Sequence, residues 1–233
     1  DRVKRICEEI LRREMDIAWS VPPGVKANRL TDDLLPLMKA SGFYRACFPI
    51  EAGDPEMLEY IRKPLDLSEA EEAIERCHAH GIWTYGNFII GFPRQTPESV
   101  EKTAEYAIHC PLDMISVYIA QPYAGSDMYD EFCELGLLDD ERKAGSTVFG
   151  TLYDTEFFKA EELERIRADI HRRFMMQRLR RQFTPKGMAD ILRKMDSLEN
   201  ARYAARLGYK VALSVFDNGR VNMFRTKRSK RDA

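Results

Sequence analysis

The feature that most constrains this chain is the alternation, over its first 136 residues, of short apolar runs with amphipathic segments that carry helix-capping signals. Phe43 to Ala52, Trp83 to Gly91 and Met114 to Tyr123 have the length and composition of strands. Ile17 to Val21 is a shorter one, ended by Pro22-Pro23-Gly24. Trp83 to Gly91 is almost continuously apolar, as expected of a parallel strand covered on both faces. Helical segments lie around them. Residues 2–14 place Val3, Ile6, Cys7, Ile10 and Leu11 at helical spacing, and Thr31 caps a helix through Met38 with Gly42 just past its end. A Ser68-Glu69-Ala70-Glu71 capping box opens a helix that Gly81 closes. Thr96-Pro97 starts another that runs to about Cys110, and Ser126 to Leu135 forms the last of the series. Strands alternating with helices in this way demand parallel βαβ crossovers. The expected fold is α/β: a partial (β/α) TIM-like barrel of about four βα units, with a doubly wound sheet as the competing arrangement.

After Gly136 the rhythm changes. Residues 137–158 read as a connecting loop with a small hairpin. Ala160 to Phe183 reads as a long helix with Leu163, Ile166, Ile170, Phe174 and Leu179 along one stripe, and Thr184-Pro185 breaks it and opens a further helix to about Leu207. Residues 220–231 hold six basic residues and no acidic one, the pattern of a solvated tail. The expected organisation is therefore a barrel segment at 1–136, a connection at 137–158 and a helical extension at 159–233. Charge follows the same division. From Glu161 onward there are 19 Lys and Arg against nine Asp and Glu, whereas the first 160 residues hold 17 against 29, within a net charge of −2.

Composition, at 44% hydrophobic and 32% charged, is that of a soluble globular chain. No run of about eighteen apolar residues is present to cross a membrane. The opening Asp1-Arg2-Val3-Lys4-Arg5 has no Met and no apolar signal region and reads as a helix entered midway, as in a piece excised from a longer protein. Cys7, Cys47, Cys77, Cys110 and Cys133 are widely spaced, with no CxxC and no Cys/His zinc spacing. They read as reduced thiols of a cytoplasmic protein, each a small buried or half-buried apolar residue. His78 and His80, two apart near a helix end, cannot share a face as metal ligands at i, i+4 would, and with His109 and His171 they read as surface residues. No Walker loop and no GxGxxG occurs, which argues against nucleotide hydrolysis and dinucleotide binding.

In parallel α/β folds, ligands bind beyond the carboxyl ends of the strands. That rule selects Pro22-Pro23-Gly24, Glu51-Ala52-Gly53-Asp54, Gly91 to Thr96, and Gln121 to Gly125. Each segment contains Gly or Pro and can bring backbone amides close to a ligand. Glu51 is the carboxylate placed directly at a strand end, suited to an ammonium or to ribose hydroxyls.

Several segments, in order, resemble the radical S-adenosylmethionine (SAM) enzyme family. They are Asn28 to Leu35, Met38 to Gly42, Ile50-Glu51-Ala52-Gly53-Asp54, Ile61-Arg62-Lys63, Ser68 to Gly81, Phe88 to Thr96 and Tyr123 to Ser126. The helical tail, with Glu161-Glu162-Leu163 leading to Arg172-Arg173-Phe174, is similar to members that carry a cobalamin-binding domain. The resemblance implies SAM and a [4Fe–4S] cluster as cofactors, cobalamin in that subclass, a small-molecule substrate, and an electron donor such as flavodoxin or ferredoxin. It implies that Glu51 contacts SAM after its strand, that Asn87, Ile89 and Gly91 lie in the strand flanking the adenine, and that Pro122 and Tyr123 stand near the adenosyl pocket. Arg29 would hold its loop against the barrel.

The departures are as informative. The family's CxxxCxxC, whose thiolates hold the cluster, is absent, and clustered Cys are required for it. Ala52 stands where a Ser is usual, and Gln95 where a Glu is common. The expectation is that the cluster ligands lie upstream of Asp1 and that the isolated piece, with an open parallel edge, self-associates. Full-length activity would then be generation of a 5′-deoxyadenosyl radical for methylation or rearrangement of an organic substrate. A tRNA-modifying methylthiotransferase is the less favoured relative, and a cluster-free barrel remnant acting as a binding module is the alternative of a different class. A nucleic-acid role for the basic tail is disfavoured, since only Phe216 and Phe224 lie near it.

Overall fold

In the computed structural model, the described residues are 2–22, 24–138 and 153–195, with 198, 200–202, 204–206, 208 and 209. Four strands, β1 (Trp19–Ser20), β2 (Phe43–Glu51), β3 (Trp83–Ile90) and β4 (Met114–Ile119), form one sheet in the order β1-β2-β3-β4, every pair parallel. A doubly wound sheet reverses its strand order at a switch point. Here the order never reverses, and the sheet curls into a half-barrel. The expected hairpin and basic tail fall mainly within 139–152 and 210–233, outside the described residues.

The helices are α1 (Arg2–Arg12), α2 (Leu34–Ala40), α3 (Pro55–Tyr60), α4 (Leu67–Ala79), α5 (Pro97–His109), α6 (Asp127–Glu134), α7 (Ala160–Gln182) and α8 (Pro185–Lys194). Local chemistry starts each βα helix. Thr96 caps α5 by accepting from Ser99 N, with Pro97 at the first helical position, and Ser126 caps α6 by accepting from Tyr129 N. Two expected caps differ. α4 begins two residues earlier than the Ser68 box implies: Asp66 is its cap, accepting from the amides of Ser68 and Glu69. A carboxylate is the stronger acceptor for those exposed amides and carries charge favourable to the helix N-terminus. At α2 it is the Thr31 carbonyl that accepts, from Leu34 N and Leu35 N, and Asp33 is the capping position. Helix α3, two turns long, was not foreseen. Asp54 caps it by accepting from Glu56 N, and Pro55 follows at its first position.

Alternation along the strands separates two faces. Ala46, Phe48 and Ile50 of β2, Phe88 and Ile90 of β3, and Ile115, Val117 and Ile119 of β4 join the main core with Ile74 of α4, Ala104 and Ile108 of α5, and Leu163, Ile170 and Phe174 of α7. Helix α7, rather than α6, packs along β4 and α5. It runs from Leu163, which touches the space beside Gly91, to Arg178, which reaches Asp113. Those fifteen steps span about 22 Å of helix. The seven steps from Thr84 to Gly91 span about 23 Å of strand. Helix and strand therefore match from pole to pole. Strand β4 ends at Ile119 rather than Tyr123, and α8 ends at Lys194, short of the expected Leu207.

Candidate functional site

The opposite, concave face of the sheet carries the polar residues. Arg45, Cys47 and Glu51 project from β2, Tyr85, Asn87 and Ile89 from β3, and Ser116 and Tyr118 from β4. The register sets Cys47 beside Tyr85, Pro49 beside Asn87 and Asn87 beside Ser116. The Tyr85 hydroxyl bonds to the Ser116 hydroxyl, and the Arg45 guanidinium stacks over the rings of Tyr44 and Tyr85 at 5.6 and 5.8 Å. Burial raises the Cys47 thiol and the Tyr85 phenol above their ordinary ranges, so both stay protonated near neutrality. Asn87 donates from Nδ2 to Cys47 Sγ at 3.4 Å, while its buried Oδ1 has no hydrogen-bond partner. An orphaned buried acceptor costs about 1–3 kcal/mol. It therefore marks a place where an incoming donor would be stabilised.

Glu51 ends β2 in the left-handed region, at φ 71°, where the β2–β3 register also slips between Pro49 and Glu51. A non-glycine residue there is strained by about 1–2 kcal/mol, and such strain gathers at functional positions. Its Oε1 accepts from Lys63 Nζ at 3.3 Å, and both side chains are partly shielded from water. Among the described residues Lys63 is the cation that Glu51 pairs with.

Other expected residues are distributed less uniformly. Ile89 packs against a small apolar cluster of Ala52, Met57, Leu58, Phe92 and Ala120 at the strand ends. Gly91 has φ +80°, and a Cβ there would stand 2.9 Å from Leu163 Cδ1. Its amide donates to Gln95 Oε1 at 2.7 Å, and Phe92 N donates to the same atom at 3.3 Å. Gln95 thus closes this loop on itself, and the Gly91 amide is not offered outward. Pro122 is buried and Tyr123 is exposed, both just past β4. Arg29 is exposed on a short 3-10 turn; Arg76 of α4 instead holds that loop, donating to Leu30 O at 3.1 Å. The sequence signal for this was an Arg at the outward end of α4, indistinguishable from a solvated one.

At the other pole of the sheet lies a cluster that sequence reasoning missed. Asp113, immediately before β4, accepts from Lys194 Nζ at 2.6 Å, Arg178 Nη1 at 3.1 Å, Thr84 N at 2.8 Å and Thr84 Oγ1 at 3.1 Å. Lys194 is 1% and Arg178 4% exposed. His78 is buried too, a correction to its reading as a surface residue, with Nε2 3.1 Å from Thr84 Oγ1. Burial pushes His78 down to about 3, against the pull of Asp113, so the ring is neutral. Burial would raise Asp113, but the charges of Lys194 and Arg178 outweigh it and hold the carboxyl well below the usual range. Every partner here is satisfied at the amino ends of the strands, the pole that stabilises such barrels rather than the one that binds.

Among the described residues no three His, Cys, Asp or Glu side chains gather as metal ligands. Cys7, Cys47, Cys77 and Cys110 are buried on separate elements, and Cys133, contrary to its expected burial, is exposed on α6. They do not fit a [4Fe–4S] cluster, which needs neighbouring thiolates. The concave face, with an open acceptor at Asn87 and a carboxylate at a strand end, does fit an adenosyl group, rich in donors. No helix among the described residues is long and apolar enough to cross a membrane.

Residues 1–107 match the model of the Radical SAM superfamily. Among curated relatives, cytidylyl-2-hydroxyethylphosphonate methyltransferase of Streptomyces wedmorensis is 29% identical over 183 residues, covering 75% of this chain and 34% of the relative. The solved structure of coproporphyrinogen III oxidase (HemN) from Escherichia coli, a radical SAM enzyme, superposes with a TM-score of 0.52 at 19% identity, over 73% of this chain and 36% of that one. The cobalamin-dependent S-adenosylmethionine radical enzyme OxsB, with aqua-cobalamin and SAM bound, gives a TM-score of 0.52 at 14% identity, over 92% of this chain and 36% of OxsB. These structures share the half-barrel fold. The chain spans about one third of the length of the relatives it matches.

Proposed function

We propose that this chain forms the SAM-binding flank of a radical SAM enzyme, and that the whole protein is a cobalamin-dependent methyltransferase acting on a small organic molecule. The observation that carries the reading is the unpartnered, buried Oδ1 of Asn87 on β3, which stands beside Pro49 of β2, with Glu51 two residues further on at the end of that strand. Glu51 accepts from the ribose and Asn87 from a donor of the adenosyl group, with Ile89 as an apolar support and Pro122 and Tyr123 at the rim. Residues 1–136 and α7 then act as the wall that orients the ligand and excludes water. SAM, once bound and reduced, supplies a 5′-deoxyadenosyl radical. A [4Fe–4S] cluster would supply the electron for that cleavage; the five scattered thiols here do not fit it, and a one-electron donor such as flavodoxin or ferredoxin in the cytoplasm would be its partner. The methyltransferase from Streptomyces wedmorensis and the cobalamin-bound OxsB support the choice of methylation and of cobalamin.

Titration of the chain with SAM tests the reading. Saturable binding that weakens at least tenfold in Glu51→Gln and in Asn87→Ala supports it, and binding indifferent to both substitutions overturns it. A second reading, a cluster-free binding module, is favoured by the scatter of the five thiols. It requires that the full-length protein bind SAM without cleaving it, whereas the enzyme reading requires 5′-deoxyadenosine to form after reconstitution with iron and sulfide and reduction by dithionite.

A further inference from the structure

Glu51 was suited by position either to an ammonium or to a pair of ribose hydroxyls. The structure separates the two, because the chain brings its own ammonium. Lys63 is delivered to Glu51 by a specific piece of backbone. Helix α3 opens on Asp54 and Pro55 and closes in a Schellman turn: Lys63 N donates to Leu58 O at 2.8 Å and Arg62 N to Glu59 O at 2.9 Å, with Arg62 left-handed at φ 55°. Pro64 then prevents the helix from continuing. Two non-glycine residues in the left-handed region, Glu51 and Arg62, therefore bracket the twelve-residue excursion that brings the lysine back over the strand end. Glycine would relieve the strain at either position; the chain has a carboxylate at one and, next to the other, the ammonium that meets it.

We propose that Lys63 is a positioning residue that decides what Glu51 can bind. Lys63 holds Oε1, so Oε2 is the oxygen directed at the ligand. It also cancels the charge that would otherwise draw a second cation to the strand end. A carboxylate pinned on one side and neutralised favours a neutral vicinal diol over an ammonium. This rests on the reading of the concave face as an adenosyl site and adds to it the origin of its selectivity.

The test uses the full 233-residue chain and three probes, adenosine, 2′-deoxyadenosine and L-methionine, by isothermal titration. The first carries the diol without an ammonium and the third an ammonium without the diol. In the wild-type chain adenosine binds roughly tenfold or more tightly than 2′-deoxyadenosine, the ratio expected when a hydrogen bond to an ion is lost. Lys63→Met lowers that ratio by roughly three- to tenfold, as expected when the acceptor loses its fixed orientation. Lys63→Arg restores it, and the circular dichroism of all variants is unchanged, since Lys63 lies in a loop at the surface. A purely structural lysine would weaken both nucleosides alike and leave their ratio intact; that result overturns the proposal while leaving the adenosyl site standing. If Glu51→Gln weakens L-methionine and spares adenosine, Glu51 is an ammonium seat and the proposal fails. If wild type does not bind adenosine, or Glu51→Gln changes neither probe, the adenosyl reading falls and the role of Lys63 with it.

Discussion

Replacing Asp113 by Ala tests whether the buried ion cluster couples α7 and α8 to the barrel. The side chain is 3% exposed and is the shared acceptor for Lys194, Arg178 and the amide of Thr84. Removing it leaves two ammonium-type charges, 1% and 4% exposed, without a carboxylate. Stranding one partner of a buried pair costs about 3–5 kcal/mol. The orphaned Thr84 amide adds about 1 kcal/mol if water cannot reach it. At about 2–4 °C per kcal/mol for a chain of this size, Asp113→Ala should lower Tm by roughly 8–24 °C. Lys194→Met should cost less, because Arg178 and Thr84 still satisfy the carboxylate and the methionine stem can keep the contact with Trp83, over whose ring the ammonium now sits at 5.1 Å. The double variant should therefore be more stable than the sum of the single losses by about 0.5–3 kcal/mol, the range for residues in direct contact. Urea unfolding of the four proteins gives the cycle. A loss below about 1 kcal/mol for Asp113→Ala, or strict additivity in the double variant, would refute the argument that this ion cluster holds the extension in place.

Three further outcomes follow from the same geometry. His78 is neutral when folded and pushed down to about 3 from its ordinary 6.5, so the unfolded chain binds a proton that the native chain refuses. Stability is then complete above pH 6.5 and is lost as pH falls toward 3, at about 1.4 kcal/mol per unit; His78→Gln should flatten that slope in urea midpoints taken between pH 7 and 4.5. Gly91→Ala places a Cβ 2.9 Å from Leu163 Cδ1 at φ +80°, and should destabilise by about 2–4 kcal/mol in thermal melts, with neutral effect counting against the close strand–α7 contact. Titration with a thiol reagent should show one fast-reacting cysteine, Cys133, which Cys133→Ser removes, while burial shields the other four and lifts Cys77 and Cys110 to about 12.

The strand–helix alternation was legible because it rests on local signals: apolar runs of strand length, Thr96-Pro97 at α5, Ser126 at α6. Helix α3 was missed since six residues carry too little periodicity to register, although Asp54-Pro55 is a sound start signal in retrospect. The place of α7 was not legible either. Sequence order makes α6 the natural partner of β4, yet only α7 has the length to cover the strand and the apolar stripe to bury against it. The difference between an outward Arg and an anchoring one, as at Arg29 and Arg76, depends on what a neighbouring loop presents, and no spacing rule contains that.

Polar residues were the harder part, and the two poles show why. Asp113, Thr84 and His78 come from three segments, and Arg178 and Lys194 from two more, so nothing in the sequence predicts that they meet. Once they meet, each has a partner, and a buried polar group with all its partners contributes to stability without inviting a ligand. At the carboxyl ends of the strands the accounting is open: Asn87 keeps an unbonded oxygen and Glu51 holds a strained backbone with one oxygen committed to Lys63. Helix α7 connects the poles, packed on Gly91 through Leu163 at one end and on Asp113 through Arg178 at the other. Rigidity at the closed pole is thereby transmitted to the loop that borders the open one. An open acceptor is useful to a ligand only if the wall that carries it cannot relax to satisfy it internally, and the buried ions at the far pole supply that constraint.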